Sequence, residues 1–175
     1  MHIQIQPLDE EILFGKDEII VSKTDLRGYL TYANDVFCRV AEMTTSEVMD
    51  QPHSVIRHPE MPRAVFKVLW AHIKNGIEVF AYVKNISKTG KYYWVIAHVT
   101  PSYDSAGKIN GYHSTRRLPK RENLQFIMPL YDRLLAEERK HSSTKQGLEA
   151  SFQLLVDILN EQNKTYSEFI WAAGE

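Results

Sequence analysis

The apolar positions of this chain change rhythm several times, and the changes divide it into elements. Residues 1–17 carry no sustained pattern, although Ile12, Leu13 and Phe14 are apolar enough to rest against a core or a partner subunit. From Glu18 a strand rhythm begins: Ile19, Ile20, Val21 and Thr24 predict one strand, Asp25 to Gly28 a turn, and Tyr29 to Tyr32 the returning strand. Glycine at the end of that turn suits a positive φ. Helical spacing follows in Val36, Phe37, Val40 and Ala41 behind Asn34, and Thr44 stands three residues before Glu47, the spacing of a capping box opening a one-turn helix. A longer helix is expected with Pro62 as its first residue, Val65, Phe66, Leu69, Trp70 and Ile73 on its apolar face, and Asn75-Gly76 closing it.

Three more strands are predicted at Val79–Ile86, Tyr92–Ser102 and Ile109–Arg117, joined by turns at Lys88–Gly90 and Asp104–Gly107. This order predicts an α+β domain in which a five-stranded antiparallel sheet carries the short helices on one face, with a cavity between the two layers. Beyond Pro119 the rhythm is helical. Leu124, Ile127, Met128, Tyr131, Leu134 and Leu135 form one stripe, interrupted or initiated at Pro129; a second helix from about Lys145 carries Leu148, Phe152, Leu155 and Leu159. A third follows a capping box at Thr165 and Glu168, with Phe169 and Trp171 as its apolar weight. These stripes either cover the outer face of the sheet or pair with another chain. The chain thus divides into an N-terminal segment (1–17), a central domain (18–118) and a C-terminal helical extension (119–175).

Composition narrows the classes. Hydrophobic residues at 43% and charged ones at 25% are those of a globular protein, and a net charge of -1 supplies no field to attract nucleic acid. The short basic run Arg116, Arg117, Lys120 and Arg121 reads as a solvated strand end. No apolar run approaches the roughly 20 residues needed to cross a bilayer, and Met1 opens neither a basic nor an apolar block. A soluble cytoplasmic protein without direct membrane insertion is expected. The single Cys38 excludes an internal disulfide and reads as a packed thiol. There is no Gly-x-Ser-x-Gly elbow, His-Glu-x-x-His pair or Walker loop, so catalysis is not expected.

The candidate site is Gln51–Pro62, QPHSVIRHPEMP. Two histidines, an arginine and an acid lie between prolines that forbid a continuous helix. Such a segment lies in solvent or holds something charged, because an unpaired buried charge costs several kcal/mol.

Tyr32-Ala33-Asn34-Asp35, Gln51-Pro52-His53, Arg57-His58-Pro59-Glu60-Met61-Pro62, Leu69-Trp70, Val83-Lys84-Asn85 and Tyr93-Trp94-Val95 occur in the order found in PAS domains of the aerotaxis-receptor type, which residues 18–117 resemble. The whole chain is similar to soluble PAS-only energy-taxis proteins, which act beside a separate membrane-bound chemotaxis transducer. The resemblance implies the PAS fold, a noncovalently held flavin, normally FAD, serving as a redox sensor, a separate transducer as partner, and a homodimer. Trp70 would stack on the isoalloxazine ring, the amide of Asn85 would match the ring edge, and Arg57 and His58 would hold the pyrophosphate or adenosine end, with Asn34 and His53 as further contacts. Changing the flavin's redox state alters the donor pattern at the ring edge, so the Asn85 amide must rearrange. The chain departs from the flavin-binding pattern at Val79-Phe80-Ala81, where many relatives carry an aromatic-small-Gly run; Phe80 points to the opposite face of its strand.

Two alternatives stand beside that reading. One is a haem or other small-ligand PAS sensor with His53, His58 or His72 as axial ligand, His72 lying on a different face of its helix from Trp70. The other is a ligand-free PAS module for dimerisation and docking.

Overall fold

The strand rhythm is realised as one antiparallel sheet. The computed structural model describes residues 5–173. Strands β1 (Ile20–Thr24), β2 (Leu30–Ala33), β3 (Val79–Ile86), β4 (Tyr92–Tyr103) and β5 (Ile109–Arg117) lie in the order β2-β1-β5-β4-β3. The N-terminal hairpin therefore docks onto the last strand of the meander, pairing Ser22 with Ser114 and Ile20 with Arg116. Across the meander Ala97 pairs with Arg116 and Asn85 with Tyr93. Strand alternation then places Ser22, Asn85, Ala97, Ser114 and Arg116 on one face.

Helices α1 (Asp35–Ala41), α2 (Thr45–Val48) and α3 (Arg63–Lys74), with a 3-10 turn at His53–Ile56, cover that face. Pro62 is the cap of α3, with ψ 134°, rather than its first helical residue. Its neighbours Ala64, Val65, Val68 and Ile73 enter the core, whereas Phe66, Leu69 and Trp70 are only partly buried.

Helices α4 (Arg121–Arg139), α5 (Thr144–Glu161) and α6 (Tyr166–Ala172) form the extension. Pro129 neither breaks nor starts α4. Pro129 and Gln125 are both exposed, so the carbonyl deprived of its donor lies on the solvent side. Met128, expected on the buried stripe, is also exposed. The extension packs on its own molecule, wrapping the β3 edge. On the outer face of the sheet Tyr131 of α4 donates to the Tyr82 carbonyl at 2.5 Å and Asn123 Nδ2 to the Tyr82 hydroxyl at 2.9 Å. On the other side α5 meets α3, where Lys67 pairs with Glu149 at 2.6 Å and lies over the Phe152 ring. Trp171 of α6 is largely exposed but its ring reaches Phe80, which stacks on His98. Phe80 thus faces away from the helices α1 to α3.

The N-terminal segment is also held in place. Ile12 N donates to the Tyr92 carbonyl at 2.8 Å, Tyr92 N donates to the Glu10 carbonyl at 2.9 Å, and Phe14 is buried in the core.

Candidate functional site

Between sheet and helices lies a cavity of about 270 Å3, near the lower end of the roughly 300–1,000 Å3 typical of small-molecule sites. Two periodicities build it. Alternate strand residues supply Ser22 and Thr24, Val83 and Asn85, Ala97 and Val99, and Tyr112, Ser114 and Arg116; the α3 positions 66, 69, 70 and 73 supply Phe66, Leu69, Trp70 and Ile73. The 51–62 segment closes one side. It bridges β3 at Arg57 to Asn85, and His53 N donates to the Gly28 carbonyl at 2.8 Å, so the strap runs from one sheet edge to the other. The Asp25–Gly28 turn holds that carbonyl with Gly28 at φ 86°.

Among the described residues the polar groups lining the cavity are cationic or neutral, and no carboxylate lines it. Arg116 is only 3% exposed; its Nη2 donates to Ser22 Oγ at 2.9 Å and to His53 Nε2. Burial pushes the guanidinium down to about 10, so it stays charged at neutral pH. Burial, then the cations of Arg116 and Arg57, hold His53 well below the usual histidine range. The neutral ring accepts from Arg116. Arg57 lies with its guanidinium 3.7 Å from the Phe66 ring centre, its pKa lowered by burial and then by Arg63. Arg57 Nε, Asn85 Nδ2, Ser114 Oγ and Arg116 Nη1 are buried without a hydrogen-bond partner among the described residues. Each such group costs about 1–3 kcal/mol if left unmatched. A ligand presenting hydrogen-bond acceptors on a largely apolar body would satisfy them.

The structure brings Trp70, Asn85, Arg57 and His53 together around this cavity. Trp70 meets Tyr112 edge-on at 5.5 Å and carries Lys74 over its ring. Two expected contacts lie elsewhere. Asn34 does not line the cavity: its Oδ1 accepts from Phe37 N and Val21 N, and its Nδ2 donates to the Ile19 carbonyl, so it ties α1 to β1 as a helix cap. His58 is buried outside this cavity, on the far side of the strap, where it lines a second cavity together with Arg57 and its Nδ1 accepts from Glu60 N at 3.1 Å. Burial and the Lys84 cation, partly offset by Glu60, bring His58 down to about 4.

Arg116, read from the sequence as solvated, belongs to the site instead. The alternation Tyr112, Ser114, Arg116 along β5 carries that signal, because the inner face of a strand continues through its last residues. Among the haem candidates, His53 offers its Nε2 to Arg116, while His72 bonds the Val68 carbonyl at 2.8 Å and packs on Tyr166. Cys38 sits 3.8 Å from Thr45 Oγ1 and does not line the cavity. Val79 is buried in the core without lining it. Among the described residues no group of three His, Cys, Asp or Glu side chains is placed to hold a metal, and no helix is long and apolar enough to cross a membrane.

Comparison with known proteins agrees with this architecture. Residues 30–116 match the family described as the PAS fold. The chain is 42% identical to the aerotaxis receptor of Escherichia coli K12 over 120 residues, covering 69% of this chain and 24% of the receptor. It is 22% identical to the nitrogen fixation regulatory protein of Klebsiella pneumoniae over 146 residues, 83% of this chain and 28% of that protein. The chain therefore spans about a quarter of the length of these relatives. Among solved structures, a light-oxygen-voltage domain studied with a flavin analogue superimposes with TM-score 0.58 at 14% identity, covering 66% of this chain and 88% of that one. The aureochrome 1 LOV domain in its light state gives 0.57 at 20% identity, over 65% and 91%.

Proposed function

Residues 30–116 form a domain of the PAS-fold family, of the aerotaxis-receptor type, and from that premise we propose that the chain is a noncatalytic redox sensor that binds FAD between sheet and helices. The observation that carries the reading is the set of polar groups without hydrogen-bond partners on Arg57, Asn85, Ser114 and Arg116 in a mostly apolar cavity that no carboxylate of the described residues lines. A bound flavin supplies reversible electron transfer coupled to protonation along one ring edge. The relative studied with a flavin analogue shares this fold, and the E. coli relative is an aerotaxis receptor.

The chain's own residues suit that task. Phe66, Leu69, Trp70 and Ile73 present a flat apolar wall, and Trp70 is wide enough to cover a ring system. Asn85 can offer either its amide donor or its carbonyl acceptor, so it can follow a change in the ligand's hydrogen-bonding edge by rotating. Arg116 and Arg57 stabilise negative charge on the ligand in a setting screened from water. Rearrangement at Asn85 bears directly on the strap, because Asn85 pairs through its backbone with Arg57. The strap leads into α3, whose first N–H groups are held by Glu138 of α4. In this reading the extension relays the state of the cavity to a separate membrane-bound chemotaxis transducer, in a cytoplasmic, homodimeric sensor.

An absorption spectrum of the purified protein, with chromatography of whatever heat releases, tests the reading. Flavin bands that disappear in Asn85→Ala and Trp70→Ala, both still folded, are expected. A featureless spectrum after incubation with excess FAD and with haem would overturn it and leave a ligand-free docking module.

A further inference from the structure

A second cavity, of about 400 Å3, lies between the strap and the corner where α4 turns into α5. Both cavities carry arginines, but the first is walled mostly by apolar side chains and the second mostly by polar ones. Arg57, His58, Arg63 and Arg139 line it with His141 and Thr144, and the one carboxylate that lines it among the described residues, Glu138, is already engaged by the N–H groups of Arg63 and Ala64 and by Ser151 Oγ. Arg57 Nε is buried with no hydrogen-bond partner among the described residues, and His141 Nε2 is buried with Glu137 Oε1 3.5 Å away as its nearest charged neighbour. Ser54 and Arg57 line both cavities, so the two share a wall.

A mostly apolar chamber and a polar, arginine-bearing one that share Ser54 and Arg57 as a wall suit a ligand made of a flat ring and an anionic phosphate-bearing tail that passes beside Arg57. We propose that the second cavity takes the pyrophosphate-adenosine half of FAD, so that the α4–α5 corner, and not the PAS domain alone, forms the cofactor site. This rests on the flavin reading above. It makes the C-terminal extension a direct contact of the dinucleotide: Arg139, His141 and Thr144 belong to the extension, Arg57 and Arg63 to the PAS domain. One phosphate chain would then hold the two parts together, and loss of the tail would loosen the corner without emptying the ring cavity.

The test is a titration of the full chain, freed of cofactor, with FAD, FMN and riboflavin, followed by flavin fluorescence and repeated in rising salt. FAD should bind about tenfold or more tightly than riboflavin, with the advantage shrinking as salt rises. The pair Arg139→Gln with His141→Gln should lower FAD affinity toward that of riboflavin and leave riboflavin binding unchanged. Amide exchange over residues 135–146 should slow with FAD and not with riboflavin. Equal FAD affinity in parent and double variant, or equal protection by both flavins, would overturn the second-cavity assignment while the flavin reading stands. Failure of all three flavins to bind would remove both. A double variant whose urea midpoint falls is replaced by Thr144→Asp, which sets a negative charge against the tail and should weaken FAD alone.

Discussion

Glu138, near the end of α4, accepts a hydrogen bond from the backbone N–H of Arg63 at 2.7 Å, capping a helix 75 residues away in sequence. The same oxygen receives Ala64 N at 3.4 Å and Ser151 Oγ at 2.9 Å, and the other lies 3.7 Å from Arg63 Nη1. Nothing on the α3 side supplies a cap, because Pro62 has no side-chain acceptor. One buried carboxylate therefore closes α3 and fixes α4 and α5 against it, and the close fit of Gly147 on the Glu138 backbone completes the joint. Glu138→Ala removes the cap and strands Ser151, and should cost about 2–3 kcal/mol. Glu138→Gln keeps an acceptor and should cost about 1 kcal/mol or less. Urea denaturation of the two variants decides; an alanine variant as stable as the glutamine one would show that the cap is not the link.

Gly28 is where the hairpin turn touches the cavity. A Cβ there would lie 3.1 Å from the Trp70 ring, and the backbone is at φ 86°, whereas Gly107, at φ 76°, has nothing within 4 Å of its added Cβ. Both alanine variants should lose about 1–2 kcal/mol to backbone strain. Only Gly28→Ala should displace Trp70 as well. Tryptophan fluorescence and ligand affinity are expected to change for Gly28→Ala and to hold for Gly107→Ala; equal effects would remove Gly28 from the site.

Stability should fall with acid in a window set by histidines. Burial lowers His53, His58 and His113 in the fold, His58 to about 4 from an ordinary 6.5. The unfolded chain takes up these protons first. The stabilisation is whole above the unfolded value and is lost as the pH falls from about 6.5 toward the folded values. For His58 the full window is worth about 3 kcal/mol. Urea midpoints measured from pH 7 to pH 5, above the range where carboxylates titrate, should show His58→Gln reducing the pH slope by close to one proton. An unchanged slope would mean that His58 charges freely in the folded protein.

Tyr131 ties α4 to the outer face of β3 through a buried hydroxyl that donates to the Tyr82 carbonyl at 2.5 Å. Tyr131→Phe keeps the ring beside Trp94 and removes that bond together with the hydroxyl's contact to Tyr166. A loss of about 1 kcal/mol is expected, with faster amide exchange concentrated in α4. Uniform acceleration across the sheet would instead indicate that α4 and the sheet open as one unit.

Much of the molecule was legible in the pattern of residues. Strand alternation and helical spacing depend on neighbours a few residues apart, so the sheet, α1 to α3 and both capping boxes follow from the chain read in order, and Trp70 and Asn85 fall on inner faces by the same periodicities. Local chemistry was a poorer guide to partners. Asn34 has the composition of a ligand contact and of a helix cap, and only the approach of β1 to its side chain decides for the cap. Arg116 sits in a basic run that resembles a solvated strand end; burial comes from its place opposite Ala97 and Ile20, which the strand order sets. The destination of the extension was open for the same reason. An apolar stripe specifies that it must be covered, which the sequence alone determined, but what covers it depends on where distant elements stand. The tertiary structure decided that α4 and α5 lie on opposite sides of the β3 edge, and so brought Glu138 to α3 and three arginines to one cavity, because such contacts depend on positions in space that no local rhythm encodes.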